Sequence, residues 1–592
     1  MKKKIILKFG GTSVATTEKI LAAAQTAVRA QQRGHQVVMV VSAMGKNTDT
    51  LTALAAEIMQ QPPAREMDML LSTGEQVSVA LMAMAITSQG HKAISLTGAQ
   101  IGIKTDNVFG KARIISISTN RMQKLLDDGN IVIAAGFQGI DDDFNITTLG
   151  RGGSDTTAVA LAAVLGAECE IYTDVDGVYS ADPRVVSDAR WLSHTSYDEM
   201  LELASMGAGV MHSRSIEFAK KFSVPIHVRS SSSESKGTII SNISEDPNRA
   251  VSGTAVTFNE ALITLSGVPD QPGSTNAIFS SIAKANITVD MIVQDAGKLG
   301  KSNISFTVPS NDLQLTLEMI QPALDKLQVQ RVSHRDDVSK ISVVGMGMAA
   351  QSGVSNRMFR CLADQSVNIF MITTSQIKIS ALVAREQAEL AIHTVHRKFE
   401  LEQPSQPDRQ AESPAITPIA DSAAAANRLH DMEELSITDI GLDKSQASVS
   451  IEGIPDTPGI AATIFDATAE AGVVVDMIIQ SYLDQDNVAS ITFTVPRDDV
   501  EKTVGVLQKL INDFPAEQAT LCNPAIAIVS VSGIGMRSHT GVALRMFQAL
   551  ADANINIEMM NTSEMRVSIV VDSDEASRAE QVLTQAFADV QR

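Results

Sequence analysis

The chain has 592 residues, too many for one domain and enough for three to five at roughly 100–200 residues each. A composition of 44% hydrophobic and 20% charged residues is that of a globular protein, and a formal net charge of −20 argues against a nucleic acid or an anionic membrane as partner. The three cysteines, Cys169, Cys361 and Cys522, are far apart and form no C-x-x-C pair, so neither a disulfide framework nor a cysteine zinc site is expected; reduced thiols in the cytoplasm are.

Met1-Lys2-Lys3-Lys4 has the basic start of a signal peptide, but the apolar run behind it ends at Lys8 and leaves no h-region. No stretch of about 18 uninterrupted apolar residues occurs, so no membrane span is predicted. A strand at Ile5–Lys8 leads into Phe9-Gly10-Gly11-Thr12-Ser13-Val14, and a helix is predicted from Glu18 to Arg33 with Gly34 as C-cap. Two glycines directly after a buried strand let backbone N–H groups approach an anion, and the next helix N-terminus adds positive dipole; the same glycines also fit an ordinary βα turn. Val37-Val38-Met39-Val40-Val41 reads as a strand buried on both faces. Helices follow around Thr50–Gln60 and from Gly74 to Gln89. Further strands are predicted at Lys92–Leu96, Ile131–Ala135 and Glu170–Thr173, and further helices at Thr156–Leu165 and Ser196–Ala208. The alternation predicts an α/β domain with a mostly parallel sheet and helices on both faces, its ligand loops at the carboxyl ends of the strands.

After about residue 250 the chain repeats itself. Gly267-Val268-Pro269-Asp270-Gln271-Pro272-Gly273 returns as Gly453-Ile454-Pro455-Asp456-Thr457-Pro458-Gly459, and Val289-Asp290-Met291-Ile292-Val293-Gln294 returns as Val475-Asp476-Met477-Ile478-Ile479-Gln480, both at an offset of 186 residues. Each block holds two βαββαβ units of ferredoxin-like pattern, with helices at Thr275–Ala285 and Ser355–Gln365 in the first. Four small modules therefore follow the large domain. Between the blocks, 401–432 is rich in proline and alanine and reads as a linker. Gly345-Met346-Gly347-Met348-Ala349-Ala350 fits a weak dinucleotide fingerprint but lies inside the repeat, so no NAD(P) site is assigned.

Three clusters carry chemistry beside the N-terminal one. Ser72-Thr73-Gly74-Glu75 is placed at a helix start, where Glu75 also suits the helix dipole. Thr147-Thr148-Leu149-Gly150-Arg151-Gly152-Gly153-Ser154-Asp155 is a Gly-rich loop opening a helix; Arg151 between glycines can grip a carboxylate, and Asp155 also fits a helix cap. Tyr172-Thr173-Asp174-Val175-Asp176-Gly177-Val178-Tyr179 runs on to Arg184 after a strand; the EF-hand spacing is absent.

The full string Lys8-Phe9-Gly10-Gly11-Thr12-Ser13-Val14, with these clusters and with Ser42-Ala43-Met44-Gly45 before Thr48, resembles the aspartokinases of the amino-acid-kinase superfamily, and the four repeats resemble ACT modules. The resemblance implies an amino-acid-kinase domain at 1–245, ACT modules at 260–335, 336–400, 433–520 and 521–592, and transfer of the ATP γ-phosphoryl to the β-carboxylate of L-aspartate at the head of lysine, threonine and methionine biosynthesis. It implies catalytic roles for Lys8 and Asp155 and substrate contacts from Thr48, Glu75, Arg151 and Ser154. ATP contacts fall on Lys8, Phe9, Gly10, Gly11, Thr12, Ser13, Gly152, Gly153, Thr173, Asp174, Tyr179 and Arg184, with Mg²⁺ on the phosphates and no protein metal site. It also implies feedback by lysine and/or threonine at Asp270, Gln294, Asp456 and Gln480, and a homo-oligomer formed through the ACT modules. The segment 229–238 lacks the Ser-Ser-Lys-Asp-Pro string in which some relatives supply a second ATP-binding lysine, and Lys236 is not assigned. Another amino-acid kinase, or an inactive amino-acid sensor, are the alternatives.

Overall fold

The computed structural model describes residues 2–591 except 207–209, 286, 296–299, 352, 405–431, 484–487, 512–518 and 537–540. The N-terminal strand forms as Lys4–Phe9 at the centre of an eight-stranded sheet. It runs parallel to Gln36–Val41 on one side and Glu168–Thr173 on the other. Ile131–Ala135 and Ala93–Leu96 extend the first side; Ile226–Ser230, Thr238–Ser241 and His194–Ser196 extend the second. The pairs are parallel apart from Ile226–Ser230 against Thr238–Ser241. Side chains alternate across the sheet. Ile5, Leu7 and Phe9 therefore pack against the helices Thr17–Gln32 and Ala64–Ser88, while Ile6 packs against Gly153–Leu165 on the opposite face. The expected α/β architecture with both faces covered is present. A separate four-stranded sheet, Ile103–Thr105, Ile114–Ile117, Gln138–Ile140 and Ile146–Thr148, carries the chain into the Gly-rich loop.

Two sequence expectations shift. Ser72-Thr73-Gly74-Glu75 does not open a helix but lies inside the 25-residue helix Ala64–Ser88. By length and composition this helix could cross a membrane, yet its Val79, Met82 and Ile86 pack in the domain core, and its Asp68 and Glu75 are buried. The helix expected from Ser196 forms as Tyr197–Ser205, and its expected end at Ala208 lies outside the described residues.

The four modules build one continuous 14-stranded sheet. Each carries the expected pattern, with helices at Ser274–Lys284, Val354–Asp364, Ile460–Glu470 and Val542–Asp552 opening the respective units. The order along the sheet is fourth, first, second, third module. The first and fourth join through Gln294 opposite Met560, and the second and third through Ile372 opposite Gln480. The first and second share two long strands. Arg331–Val344 runs through the expected 335/336 boundary, pairing first with the end of Gly253–Pro269 and then with its beginning. Beneath the sheet, Leu262, Val293, Met371, Ile479, Ile528 and Met559 belong to one apolar cluster drawn from all four modules. These two junctions pair the modules side by side within the described chain.

The linker is shorter than expected at both ends. Leu401 is buried against the second module, and Met432 is buried in the core of the kinase domain. Residues 405–431 of that assignment lie outside the described residues.

A buried ion pair ties the second module to the N-terminal domain. Lys378 of the second module lies 2.7 Å from Glu202 on the kinase helix Tyr197–Ser205, with Glu564 of the fourth module beside them, and all three side chains are buried. Burial pushes the Glu202 carboxyl up, Lys378 pulls it down, and Glu564 raises it again.

Candidate active site and effector interfaces

Lys8 closes the central strand, and its Nζ lies 2.5 Å from Asp155 Oδ1, with both side chains nearly buried. Asp155 sits in the first turn of Gly153–Leu165, where the helix dipole favours its negative charge. The Gly10 N–H donates to Tyr172 O at 3.3 Å, and the Phe9 and Tyr172 rings stack with centroids 4.6 Å apart. Residues Gly11–Val14 form one 3₁₀ turn. Gly45 N donates to Gly11 O, and a Cβ on Gly11 would lie 2.7 Å from Ala43 O, so the loops after the first two strands interlock. Thr12 O accepts from Lys19 Nζ at 2.7 Å, and Ser13 Oγ donates to Ser231 Oγ at 2.9 Å. Through Ser231 the serine-rich segment reaches the strand Glu168–Thr173, since Ser231 N donates to Thr173 O.

The Gly-rich loop is held from three sides. Asp68 Oδ2 accepts from Thr148 N and Gly110 N, and its Oδ1 accepts from Thr148 Oγ1 at 2.6 Å. Leu149 N donates to Phe137 O; Phe137 itself has φ +69°, a costly conformation for a bulky residue, against the loop. Gly152 has φ +75°, and a Cβ there would lie 2.3 Å from His212 Cβ, so no other residue fits without displacing that ring. Arg151 is exposed, and with Gly150, Gly152 and Asp155 it lines a cavity of ≈ 880 Å³. Asp155 thus links Lys8 to the cavity that Arg151 lines.

Glu75 is buried at the back of the loop after the second strand. Its Oε1 accepts from Ala43 N at 3.0 Å, and its Oε2 is buried without a hydrogen-bond partner among the described residues. Burial pushes the carboxyl up to about 7, against the opposing pull of the Ala43 N–H. Gly74 permits this approach: a Cβ there would lie 2.9 Å from Ala43 Cβ. Ser154 is buried beside Gly136.

Other expected residues stand apart. Thr48 lies in the first turn of Asn47–Ile58. Thr173 Oγ1 donates to Asp174 Oδ1, Tyr179 bridges to Trp191, and Arg184 is held by Asp182 in a two-pronged pair. None of these is bonded to Lys8 or Asp155 among the described residues. Lys236 is exposed and its carbonyl accepts from His227 Nε2. Asp68, Phe137, His212 and Arg214 were not singled out by sequence; none sits in a motif with a spacing that marks it.

The two module interfaces that hold the expected effector residues are near copies. Asn556 Nδ2 of the fourth module donates to Asp270 Oδ1 of the first at 2.8 Å, and Gln294 Nε2 donates to Ile557 O at 2.7 Å. In the second copy, Asn368 Nδ2 donates to Asp456 Oδ1 at 3.0 Å, and Gln480 Nε2 donates to Ile369 O at 2.7 Å. The copies differ at the partner of this glutamine. Thr275 Oγ1 donates to Gln294 Oε1, whereas alanine stands at the corresponding 461 and Gln480 Oε1 is buried without a partner among the described residues.

Residues 3–230 match the amino acid kinase family, and 263–324, 341–399, 448–510 and 529–587 each match an ACT domain. The aspartokinase of Bacillus sp. (strain MGA3) is 48% identical over 399 residues, spanning 67% of this chain and 97% of its own length. The chain belongs to the aspartokinase family. The aspartokinase of Thermus thermophilus is 44% identical over 401 residues, 67% of this chain and 99% of its own. Among solved structures, aspartate kinase from Synechocystis aligns over 99% of this chain and 98% of its own at 40% identity, TM-score 0.52. Aspartokinase III of E. coli in complex with aspartate and ADP aligns over 67% of this chain and 99% of its own at 26% identity, TM-score 0.57. Family membership makes the chain a kinase enzyme, with α/β kinase and ACT folds.

Proposed function

We propose that this family member transfers the γ-phosphoryl of ATP to the β-carboxylate of L-aspartate, under feedback by lysine and/or threonine. The observation that carries the reading is a buried Lys8–Asp155 pair whose aspartate lines the same cavity as the exposed Arg151; Glu75, buried behind the loop after the second strand with one oxygen unpartnered among the described residues, is the further carboxylate the reading uses. Two cations and one carboxylate suit an amino acid bearing two carboxylates and one ammonium. The relatives named aspartokinase, and the E. coli structure with aspartate and ADP, support the same substrate pair.

The acceptor carboxylate has a reference pKa of about 3.9 and is already ionised at neutral pH, so no base is needed. The barrier is the approach of an anion to a polyanion and its in-line placement. Lys8 and the Gly10, Gly11, Gly152 and Gly153 amides would supply fixed positive charge and donors for it. Asp155 holds the Lys8 ammonium in place. Arg151 would hold the α-carboxylate and Glu75 the ammonium, with Thr48 and Ser154 flanking. Among the described residues no group of three or more His, Cys, Asp or Glu side chains is placed to hold a metal; Mg²⁺ carried on the ATP phosphates would supply charge neutralisation. Thr173, Asp174, Tyr179 and Arg184 remain assigned to ATP, with Arg184 leaving Asp182 to reach it.

ADP release measured with aspartate, glutamate and acetylglutamate tests the assignment: aspartate is the preferred acceptor, and equal or faster turnover of another acid overturns it.

Glu75 gives a pH signature. Its carboxyl ionises near 7 in the fold. A carboxylate that pairs with substrate ammonium must be charged, so KM for aspartate rises as pH falls below about 7, approaching tenfold per unit. Glu75→Gln removes this slope. The unfolded carboxyl titrates near 4.5, so burying the charge costs no stability below 4.5 and the full amount above 7; Glu75→Gln is therefore more stable than the parent at pH 8 and not at pH 4, as urea unfolding would read.

Feedback is assigned to the two module interfaces. A lysine complex of E. coli aspartokinase III, at 26% identity, supports lysine as one effector. Asp270 and Asp456 would take the effector ammonium and Gln294 and Gln480 its polar groups. Asp456→Ala weakens binding at the second interface about tenfold or more, the scale of one charge-assisted hydrogen bond, and leaves the first intact. Calorimetric titration with lysine and threonine reads this directly; no heat from either amino acid with the unmodified chain removes the assignment.

A further inference from the structure

Beyond the two ACT interfaces, a direct contact runs from the second ACT block to the substrate loop. The described chain resumes at Met432, packed in the core of the kinase domain and not in a sensor module. Met432 is fully buried there, and its N–H donates to Ile115 O at 3.3 Å. Glu433 Oε2 accepts from Ile114 N at 2.7 Å. Both its oxygens also face Arg214, with Nε to Oε1 at 2.9 Å and Nη2 to Oε2 at 2.5 Å. Arg214 donates in turn to Ala112 O at 2.6 Å and to Leu149 O. Leu149 is the residue immediately before Gly150-Arg151-Gly152. Lys221 Nζ adds a bond to Glu434 O at 2.7 Å. Two residues further on, Ser436–Asp443 enters the sheet as the outer strand of the fourth module, paired with Ile526–Ile534.

We infer that Glu433 is a positioning residue: delivered by the entry strand of the second ACT block, it locks Arg214 against the root of the substrate loop and so sets Arg151 for the aspartate carboxylate. A guanidinium that serves two backbone carbonyls and a carboxylate at once has a single satisfied orientation. With the carboxylate gone, its fork is free to turn, and the Leu149 carbonyl loses a fixed donor. The cavity lined by Arg151 and Asp155 is also lined by Arg214, Glu433, Ile534 and Gly535, so the fourth module touches the same space. A shift of that module pulls on Glu433 without passing through the kinase core.

The inference rests on Arg151 as the carboxylate grip, and the experiment separates the two. In the full chain, KM for aspartate, KM for ATP, kcat and the melting temperature are measured for E433A, E433Q and R151A. E433A raises KM for aspartate about tenfold or more with KM for ATP within about twofold of the parent, and E433Q, which keeps one acceptor oxygen, falls between. A normal aspartate KM in E433Q and E433A beside a raised one in R151A overturns the positioning role. So does an equal rise for both substrates with a lowered melting temperature, which marks Glu433 as merely structural. A normal aspartate KM in R151A overturns the reading of Arg151 itself, and the positioning role with it. Should E433A fail to fold, E433Q alone decides.

Discussion

Lys8→Ala lowers kcat by about 10²–10³-fold, the scale of one donor lost from a site that stabilises developing negative charge. The geometry makes the loss specific to the chemical step. Lys8 stands at the carboxyl end of the central strand, with Gly10 directly behind it, and its ammonium is held 2.5 Å from Asp155. No other Lys or Arg side chain is paired with Asp155 among the described residues. Removing Lys8 also strands that carboxylate in a nearly buried position, which costs stability in its own right. The double variant Lys8→Ala, Asp155→Asn separates the two effects. It regains the fold, as read by circular dichroism and urea unfolding, and remains slow. A Lys8→Ala protein with near-parental kcat ends the catalytic assignment.

The second large effect is on stability. Lys378→Ala destabilises the transition that includes the kinase domain by about 3–5 kcal/mol, because it removes the cation from a buried pair and leaves the carboxylate behind. Glu202 and Glu564 then share one buried space with no cation from Lys378 between them. Burial already holds the Glu202 carboxyl above its ordinary value, so the folded state takes up a proton more readily than the unfolded chain. The penalty in Lys378→Ala is therefore full at high pH and shrinks as pH falls towards the ordinary carboxylate range. Urea unfolding at pH 8 and pH 6 reads both the size and the slope; a pH-independent loss would show that the carboxylates are not its source. Lys378 and Glu202 also join the second module to the kinase domain.

Much of this was legible in the sequence because it is local. Val37–Val41 has no polar alternation and can only be a strand covered on both faces. The Gly-rich strings mark loops packed too closely for a Cβ, as at Gly11 and Gly152, and the 186-residue repeat announces the paired modules. What escaped is of two kinds. The helix Ala64–Ser88 begins well before the expected start at Gly74; glycine costs about 1 kcal/mol in a helix interior, and here the close approach of Ala43, which leaves no space for a Cβ, requires it. The long-range charge pairs leave no periodic trace at all. Arg214 and Glu433 are 219 residues apart, and either alone reads as an ordinary surface charge. Equally, nothing in the pattern around residue 335 tells that one strand continues through two modules.

The arrangement of the modules changes the order of the regulatory reaction. In a sensor whose halves sit on separate chains, the fraction assembled falls with dilution by mass action. Here both halves of each interface are tethered, and their encounter is first-order, governed by an effective concentration set by the intervening chain. Sensitivity to end product is therefore decoupled from how much enzyme a cell makes. Under the proposed feedback, a lesion in one module acts first on the interface within its own chain.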